Sequence, residues 1–293
     1  MLQLTHVGKT YRVGAFGGGA LHAVRDVTFG VEPGEVVSLI GESGSGKSTI
    51  GRMILRLSSV SAGSIMFEGS DISLLKGGAV RDYYRRVQGV FQDPFSSCNP
   101  IFKVDRVFDT LRHNFFAGMA ESEWDGRVAA SLDSVNLVAG DVLNKFPHQL
   151  SGGQLQRLLI ARALLLDIRF LVADEIISML DASTRIDVLN LLALLKDRGL
   201  GVLFVTHDLS LGNYISDRTI VLRRGRIVEM GDTSLVFGDP KHPYTRMLLA
   251  SVPTLHQRWE VGAARTSGDA LDAVVDRPLA EVAPGHLVAD LME

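Results

Sequence analysis

Apolar and polar positions along the chain first predict β-strands. Leu2, Leu4 and Val7 indicate a strand at the start, and residues 21–31 indicate a second, which ends at the turn dipeptide Pro33-Gly34. Residues 14–20, rich in glycine, are expected to form a flexible loop between them. Three short, nearly continuous apolar runs, at residues 36–40, 170–173 and 202–205, are typical of strands buried inside a sheet.

Helical spacing of apolar residues separates these strands. It occurs at residues 48–57 and 186–192, and in the sets Val104, Val107, Phe108, Leu111 and Val128, Leu132, Val135, so that residues 100–165 are expected to be largely helical. Residues 221–228 predict a hairpin that turns at Arg224-Gly225. Apolar strands that alternate with helices predict an α/β fold with a mostly parallel sheet covered on both faces, and a small C-terminal appendage.

Composition narrows the class of protein. The 293 residues are 46% hydrophobic, enough for a sizeable core, and the net charge of −3 argues against a globally basic nucleic-acid binder. Cys98 is the only cysteine, which excludes a disulfide framework or a multi-cysteine metal site within the chain. Neither a membrane-spanning apolar run nor a secretory signal is visible, so we expect a soluble cytoplasmic protein that reaches a membrane through partners.

A glycine-rich loop carries the first chemical motif. Residues 41–48 fit the pattern G-x-x-x-x-G-K-[ST] between a predicted buried strand and a predicted helix. Glycines allow backbone N–H groups to converge on phosphate oxygens, Lys47 can reach the β- and γ-phosphates, and the Ser48 hydroxyl can bind Mg²⁺. The alternative is a glycine-rich turn without a ligand, but its place between strand and helix favours nucleotide binding.

Two carboxylates follow the second buried run. Asp174 and Glu175 stand where a strand ends, and ligands bind outside the carboxyl ends of strands in open α/β sheets. One carboxylate can hold the metal and the other can polarise an attacking water, so we assign Asp174 to Mg²⁺ and Glu175 to the water. A solvated acidic turn is the alternative.

Further motifs extend the pattern in a fixed order. They are Gln92 in Phe91-Gln92-Asp93-Pro94, the run Leu150-Ser151-Gly152-Gly153-Gln154 before Gln156-Arg157, the segment Ser178-Met179-Leu180-Asp181, His207 in Val205-Thr206-His207-Asp208, and Tyr11 in Lys9-Thr10-Tyr11. With the glycine-rich loop and the acidic strand end, these motifs resemble the ATP-binding-cassette (ABC) ATPases over residues 1–240. The resemblance implies a P-loop NTPase fold with a helical signature subdomain at about residues 93–165 and an antiparallel β subdomain.

The resemblance also implies roles for individual residues. Glu175, His207 (the switch histidine) and Gln92 would be catalytic, and Mg²⁺ would bind Ser48, Gln92 and Asp174. Tyr11 would stack on the adenine of ATP. The phosphates would contact Gly41, Ser43, Gly44, Ser45, Gly46, Lys47, Ser48 and Thr49, and, from a second chain, the signature residues Ser151, Gly152, Gly153 and Gln154, together with Asp181. Several of these residues have a purely structural role as the alternative. These roles are an ordinary helix cap at Ser151, a structural histidine at His207, a polar loop residue at Gln92 and packing for Tyr11.

Three segments resemble one branch of the family. Residues 92–100, 239–250 and 277–286 are similar to the oligopeptide/dipeptide importer ATPases, whose C-terminal extension would here occupy residues 241–293. The implied partners are two permeases, a second ABC ATPase chain (a different one or an identical copy) and, indirectly, an extracytoplasmic solute-binding protein, with no nucleic acid. The implied location is the cytoplasmic face of the membrane. The cargo stays open between peptides and oligosaccharides, and His242 and His286 are expected to pack in the tail rather than bind metal.

The sequence departs from the family pattern at one place, and two other functions stand as alternatives to a transport ATPase. Ile176-Ile177 stands where the family usually has Pro-Thr, which makes the strand exit less rigid without removing a catalytic side chain. A non-transport ABC ATPase and a regulatory, catalytically impaired subunit are the alternatives. The chain length with a single phosphate loop argues against the first, and the intact Lys47, Asp174, Glu175 and His207 argue against the second.

Overall fold

The computed structural model describes residues 1–13, 18–251 and 277–289. The predicted loop residues 14–17 and much of the predicted C-terminal extension, residues 252–276 and 290–293, lie outside the described residues. The chain divides into two compact units, one built from residues 1–74 and 203–293 and the other from residues 75–202.

The strands and helices follow in chain order. The strands are β1 (Leu2–Val13), β2 (Gly19–Val31), β3 (Val36–Ile40), β4 (Ala62–Phe67), β5 (Ser70–Asp71), β6 (Val87–Val90), β7 (Phe170–Asp174), β8 (Gly201–Val205), β9 (Arg218–Arg223), β10 (Arg226–Asp232), β11 (Leu279–Ala283) and β12 (His286–Ala289). The helices are α1 (Lys47–Ile54), α2 (Gly78–Arg86), α3 (Asp105–Phe115), α4 (Glu121–Asp133), α5 (Ala139–Val142), α6 (Gly152–Leu164), α7 (Ala182–Asp197), α8 (Leu209–Ile215), α9 (Thr233–Gly238) and α10 (Pro243–Ala250). Short 3₁₀ turns cover Ile72–Leu74 and Pro147–Gln149.

The first unit contains two groups of paired strands. One is a four-stranded sheet in the order β2-β1-β4-β5, antiparallel throughout, which confirms the expected antiparallel β subdomain. The other runs β11-β12-β10-β9-β3-β8, with β3 and β9 parallel. Buried apolar residues of β3 form part of its core, because the whole of β3 is excluded from solvent.

Parallel pairing occurs at β3–β9 and β6–β7, as expected, and the strands that follow β9 add antiparallel pairs. The pairs β9–β10, β10–β12 and β11–β12 are all antiparallel. For β9 and β10 the reason is local: the tight turn at Arg224-Gly225 joins them, and a turn that short joins only antiparallel strands, since a parallel pair needs a long crossover. The hairpin itself is confirmed.

The second unit is mainly helical. It contains the parallel pair β6–β7 and the helices α2 to α7, so the expected helical region at residues 100–165 is confirmed. Helices α4 and α6 pack together, and the buried Ser131 hydroxyl donates a 2.8 Å hydrogen bond to the Ala161 carbonyl between them.

Two helices end earlier than the apolar spacing predicts. Helix α1 stops at Ile54 rather than near Leu57, because Arg56 adopts a left-handed conformation (φ 55°) and the Leu57 N–H turns back to the Arg52 carbonyl. Val135 lies beyond the end of α4 but is buried. It is therefore apolar because it packs in the core, and not because it belongs to the helix. Among the described helices, none is long and apolar enough to cross a bilayer.

Candidate functional site

The glycine-rich loop at residues 41–48, called the phosphate loop from here on, connects β3 to α1 as its sequence predicted. Gly41 has φ +151°, and a Cβ there would lie 2.1 Å from the Leu222 carbonyl oxygen of β9. Gly46 has φ +107°, and its Cβ would lie 2.5 Å from the Ala23 carbonyl oxygen. The loop can take this path only with glycine at both positions.

Lys47 lies inside the curve of the phosphate loop. Its side chain is buried, and the ammonium donates to the carbonyl oxygens of Gly41 at 2.7 Å and Glu42 at 2.8 Å. The Gly225 N–H, in the β9–β10 turn, donates to the Ser45 carbonyl at 2.9 Å and fixes the other side of the loop. A positive group is thereby held by two loop carbonyls at the start of α1, and a positive group at a helix N-terminus favours phosphate binding.

His207 shares a cavity with the start of this loop. It follows β8, whose end is tied to β3 by the bond from the Thr206 N–H to the Leu39 carbonyl. A cavity of about 450 Å³ is lined by Gly41, His207, Asp208, Leu209, Ser210, Leu248 and Ser251. The first unit thus brings the predicted switch histidine and the phosphate loop to one opening.

Tyr11 is the sequence-predicted base-stacking residue of the first unit. It is half-buried near the end of β1, and the Lys9 ammonium lies 5.0 Å from the centre of its ring. Lys9 is itself held by the Ser59 carbonyl at 2.6 Å. A cation against the ring makes a favourable cation–π contact, and the stacking role stays a prediction.

Asp174 and Glu175 end β7 in the second unit. Asp174 is buried, whereas Glu175 has φ +53°, a left-handed conformation that costs an ordinary residue about 1–2 kcal/mol. The Ser178 N–H and hydroxyl both donate to the Glu175 carbonyl and stabilise the turn. Ile176 and Ile177, the departure from the family pattern, are buried in the core.

Gln92 follows β6 in the same unit, with its side chain exposed. The residue before it is held from α6, because the Gln156 side-chain amide donates to the Phe91 carbonyl at 3.1 Å. Gln156 is fully buried, so α6 fixes the base of the Gln92 segment while the Gln92 amide itself faces solvent.

Ser151 begins α6 with a reciprocal pair of hydrogen bonds. Its hydroxyl accepts from the Gln154 N–H at 3.1 Å, and its own N–H donates to the Gln154 side-chain oxygen at 3.0 Å. A Cβ on Gly153 would lie 3.4 Å from the Leu180 side chain, so the helix tip lies against the segment at residues 178–181. The second unit therefore places the predicted signature and the predicted Asp181 segment side by side.

Asp181 caps α7 in this structure. Its carboxylate accepts from the Ser183 hydroxyl, the Thr184 N–H and the Thr184 hydroxyl. These hydrogen bonds, first of all that from Ser183, hold the pKa of the Asp181 carboxyl well below its ordinary value. The residue stays ionised and orders the turn into α7.

Sequence reasoning missed one residue beside the phosphate loop. The Glu42 N–H donates to the Tyr244 hydroxyl oxygen at 3.0 Å, across 202 residues of sequence. Tyr244 lies in a stretch that the sequence linked only to a C-terminal extension. The available signal was weak: a tyrosine directly after a proline at a helix start.

The residues present fit ATP and a magnesium ion. In the first unit, the loop glycines form a cradle that a Cβ would fill, Lys47 supplies positive charge, and Ser48 has a hydroxyl oxygen. In the second unit, Gln92 and Asp174 carry side-chain oxygens, the ligand type that Mg²⁺ prefers. Over residues 1–13, 18–251 and 277–289, no three His, Cys, Asp or Glu side chains gather into a separate metal site. Cys98 is buried, and burial raises the pKa of its thiol.

Known proteins resemble the chain in both sequence and fold. The family described as ABC transporter matches residues 24–178, and the oligopeptide/dipeptide transporter C-terminal region matches residues 228–274. The oligopeptide transport ATP-binding protein OppF of Streptococcus mutans is 41% identical over 98% of this chain and 94% of its own length. OppF of Streptococcus pyogenes serotype M1 is 40% identical over 91% of this chain and 88% of its own.

A solved structure has the same architecture. The ATP-binding cassette MJ0796, a dimer in a post-hydrolysis state bound to ADP and Pi, aligns with a TM-score of 0.72 and 30% identity over 80% of this chain and 99% of its own. The fold, the ATP-binding motifs and the sequence relatives agree. The chain therefore belongs to the ABC transporter ATPases, as an ATP-binding member that carries the C-terminal region of oligopeptide/dipeptide transporters.

Proposed function

We propose that this chain is the ATP-hydrolysing subunit of a peptide importer. The observation that carries the proposal is the phosphate loop, whose path requires glycine at Gly41 and Gly46 and surrounds the buried Lys47 ammonium. Such a loop has the charge and N–H donors for a triphosphate. Relatives named as oligopeptide transport ATP-binding proteins favour peptides over oligosaccharides as the cargo.

Within the first unit, the loop would hold the triphosphate. Lys47 would contact the β- and γ-phosphates, and Tyr11 would stack on adenine. Backbone and hydroxyl groups of the loop would contact the phosphates from Gly41, Ser43, Gly44, Ser45, Gly46, Ser48 and Thr49. Ser48, Gln92 and Asp174 would hold Mg²⁺, which when bound neutralises charge on the β- and γ-phosphates.

Three side chains would carry hydrolysis. Glu175 accepts a proton from the water whose oxygen attacks the γ-phosphorus, while the bond to the β–γ bridging oxygen breaks and ADP leaves. Gln92 orients the water, and His207 contacts the γ-phosphate from the carboxyl end of β8. The left-handed backbone of Glu175 supports this role, because strained residues concentrate at functional sites.

A second ATPase chain would complete each site. The capped start of α6, with Ser151, Gly152, Gly153 and Gln154, has N–H groups for the γ-phosphate of the facing chain, and Asp181 orders the turn beside it. The solved dimers of MJ0796 support such pairing. The facing chain is a homologue, or else a copy of this chain.

The assembly would operate at the cytoplasmic face of the membrane with two permeases and, indirectly, a solute-binding protein outside. Residues 1–240 would form the ATPase domain and residues 241–293 the extension. The segment at residues 93–115 would receive the permease, and two features support this: Ile101 and Phe102 are exposed, and Phe102 also lines a cavity of about 290 Å³.

The test is the rate of phosphate release by purified Glu175→Gln. We expect hydrolysis to fall by about 10²- to 10⁴-fold, the usual contribution of a general base, while ATP binding stays near the wild-type level. Glu68→Gln is the matched control, because Glu68 is another glutamate with a left-handed backbone (φ 48°), outside the motifs. Equal phosphate release by Glu175→Gln and the wild type would remove Glu175 from the mechanism.

A further inference from the structure

A buried carboxylate ties the C-terminal part of the first unit together. Glu229 of β10 is 0% exposed, and it accepts from the His286 ring of β12 at 2.8 Å, the Lys241 N–H at 2.8 Å and the His242 N–H at 2.9 Å. Glu229 therefore joins β10, β12 and the start of α10 with three hydrogen bonds that compensate its burial.

This junction continues to Tyr244 through the N-terminus of α10. The buried His242 caps the helix, and its Nδ1 accepts from the Tyr244 N–H at 3.1 Å. Pro243, at the first helical position, pre-sets the backbone for the helix. The Tyr244 ring is buried in the apolar core of the unit, with the Arg223 guanidinium 4.6 Å from its centre.

The Tyr244 hydroxyl ends at the phosphate loop. Its oxygen accepts the Glu42 N–H at 3.0 Å, and the carbonyl oxygen of that same Glu42 accepts from the Lys47 ammonium at 2.8 Å. The Glu42 N–H is thus bound by Tyr244 of α10, and the Glu42 carbonyl is bound by Lys47. A continuous chain of hydrogen bonds therefore connects Glu229 to Lys47.

We propose that Tyr244 is a positioning residue for the phosphate loop, through which the segment around Glu229 and α10 sets the affinity for ATP. The inference rests on the proposed function, in which Lys47 and the loop bind the triphosphate. Tyr244 touches Glu42 and not the nucleotide, so it acts by holding the loop in its phosphate-binding shape. Burial raises the pKa of Tyr244 to about 12, so the hydroxyl stays neutral across the working pH range.

The first test is Tyr244→Phe, which keeps the ring and its packing and removes only the acceptor oxygen. We expect the KM for ATP to rise roughly three- to tenfold, the worth of one hydrogen bond, with kcat nearly unchanged. A higher KM at unchanged kcat is expected when a mutation weakens binding equally in the ground state and in the transition state. A purely structural role for the ring would leave both constants at the wild-type value.

Thr245→Val is the matched control. Thr245 is the next residue of the same helix, its side chain is also fully buried, and its hydroxyl has no hydrogen-bond partner among the described residues. Removing that hydroxyl at nearly constant volume should leave the KM for ATP unchanged. An equal rise in Thr245→Val and Tyr244→Phe would assign the effect to disturbance of α10 and overturn the proposal.

A second variant tests the connection to Glu229. Glu229→Gln replaces one acceptor oxygen by an amide that donates, so it should also raise the KM for ATP. If both residues act through one path, the double variant with Tyr244→Phe should show no more than the larger single effect. If the fold-increases in KM of the two single variants multiply in the double variant, the two residues act independently. That result would contradict a path from Glu229 through Tyr244 and overturn the proposal.

A measurement on the wild type avoids any loss of folding. Hydrogen exchange without nucleotide should find the Glu42 amide protected, although the residue is exposed, because Tyr244 holds its N–H. Exchange at Glu42 as fast as at a free peptide would overturn the proposal. Wild-type protein that neither binds nor hydrolyses ATP would instead reject the proposed function, so the two failures are distinguishable.

Discussion

Left-handed glycines of this chain differ in what surrounds them. At Gly46 an added Cβ would meet the Ala23 carbonyl oxygen at 2.5 Å, whereas at Gly69, in the β4–β5 turn, it would meet nothing within 4 Å. Both residues have positive φ, +107° and +80°. The clash therefore adds to a conformational cost that the two positions share.

Gly46→Ala should consequently be much more harmful than Gly69→Ala. We expect Gly69→Ala to lower the free energy of unfolding by about 1 kcal/mol, the left-handed penalty alone. Gly46→Ala should lose that amount plus about 1–3 kcal/mol for overpacking, and its loop should bind ATP poorly. Thermal unfolding without nucleotide measures both, and equal melting temperatures would show that the Ala23 contact relaxes freely.

His242 makes stability depend on pH. Its N–H donates to Glu229 of β10 and its ring accepts from the Tyr244 N–H of α10. Burial is the first cause that lowers the pKa of His242 to about 4, with Glu229 opposing and Arg223 of β9 assisting. The folded protein keeps His242 neutral where the unfolded chain, with its ordinary pKa near 6.5, takes up a proton. The free energy of unfolding should therefore fall as pH drops from 6.5 towards 4.

His242→Asn isolates this contribution. Asparagine does not titrate and is a favoured cap, so it can still accept the Tyr244 N–H. Urea unfolding at several pH values should give the variant a flatter decline than the wild type between pH 6.5 and 4. Parallel declines would mean that His242 contributes nothing to the acid sensitivity of the fold.

Residues within one local motif were predictable, and residues joined across the chain were not. The path of Gly41–Ser48 between strand and helix follows from spacing, because each contact needs only a few neighbouring residues. The packing of His242 and His286, expected from the lack of other ligands near them, is confirmed by their burial against Glu229. The Tyr244–Glu42 bond spans 202 residues, and no local pattern encodes it.

At the scale of elements, helix caps explain where α6 and α7 begin. Ser151 and Asp181 each accept a backbone N–H of the first turn, so both helices start directly after a residue of suitable chemistry. From the sequence, an ordinary cap at Ser151 is the alternative to a contact with ATP, and in the structure Ser151 does cap α6. The sequence overestimated α1, because the left-handed Arg56 that ends the helix has no distinctive residue type.

Loss of the α6 cap should be measurable. Ser151→Ala removes the acceptor for the Gln154 N–H and should lower the free energy of unfolding by about 1 kcal/mol. Ser151→Asn keeps an acceptor at the cap and should restore most of that stability. Denaturant unfolding without nucleotide compares the three proteins, and an Asn variant as unstable as the Ala variant would contradict a capping role.

At the scale of the whole molecule, the two compact units divide the motifs between them. The phosphate loop and His207 belong to the first unit, and Asp174, Glu175 and the start of α6 belong to the second. The apolar spacing predicted several elements of each unit, but it did not predict β4, β5, β6, α2, α8, α9, α10, β11 or β12. It did not predict that residues 203–293 join the N-terminal residues in one unit, because that grouping depends on contacts distant in sequence.

The proposed pairing of chains gives a prediction at this scale. With ATP and magnesium, Glu175→Gln should form a dimer that light scattering detects, because it binds nucleotide without releasing phosphate. Adding Ser151→Asp should abolish the dimer: aspartate also caps a helix, but its charge would face the γ-phosphate. Adding the neutral Ser151→Asn is the control and should retain the dimer. A dimer that survives Ser151→Asp would place the helix tip away from the phosphates.

The left-handed backbone at Glu175 has a consequence for heat resistance. Glycine would adopt that conformation without strain, so a search for thermostable variants guided only by melting temperature should select Glu175→Gly. The selected protein would have a higher melting temperature and, on the proposed mechanism, would not hydrolyse ATP. The glutamate at this position thus exchanges thermal stability for turnover.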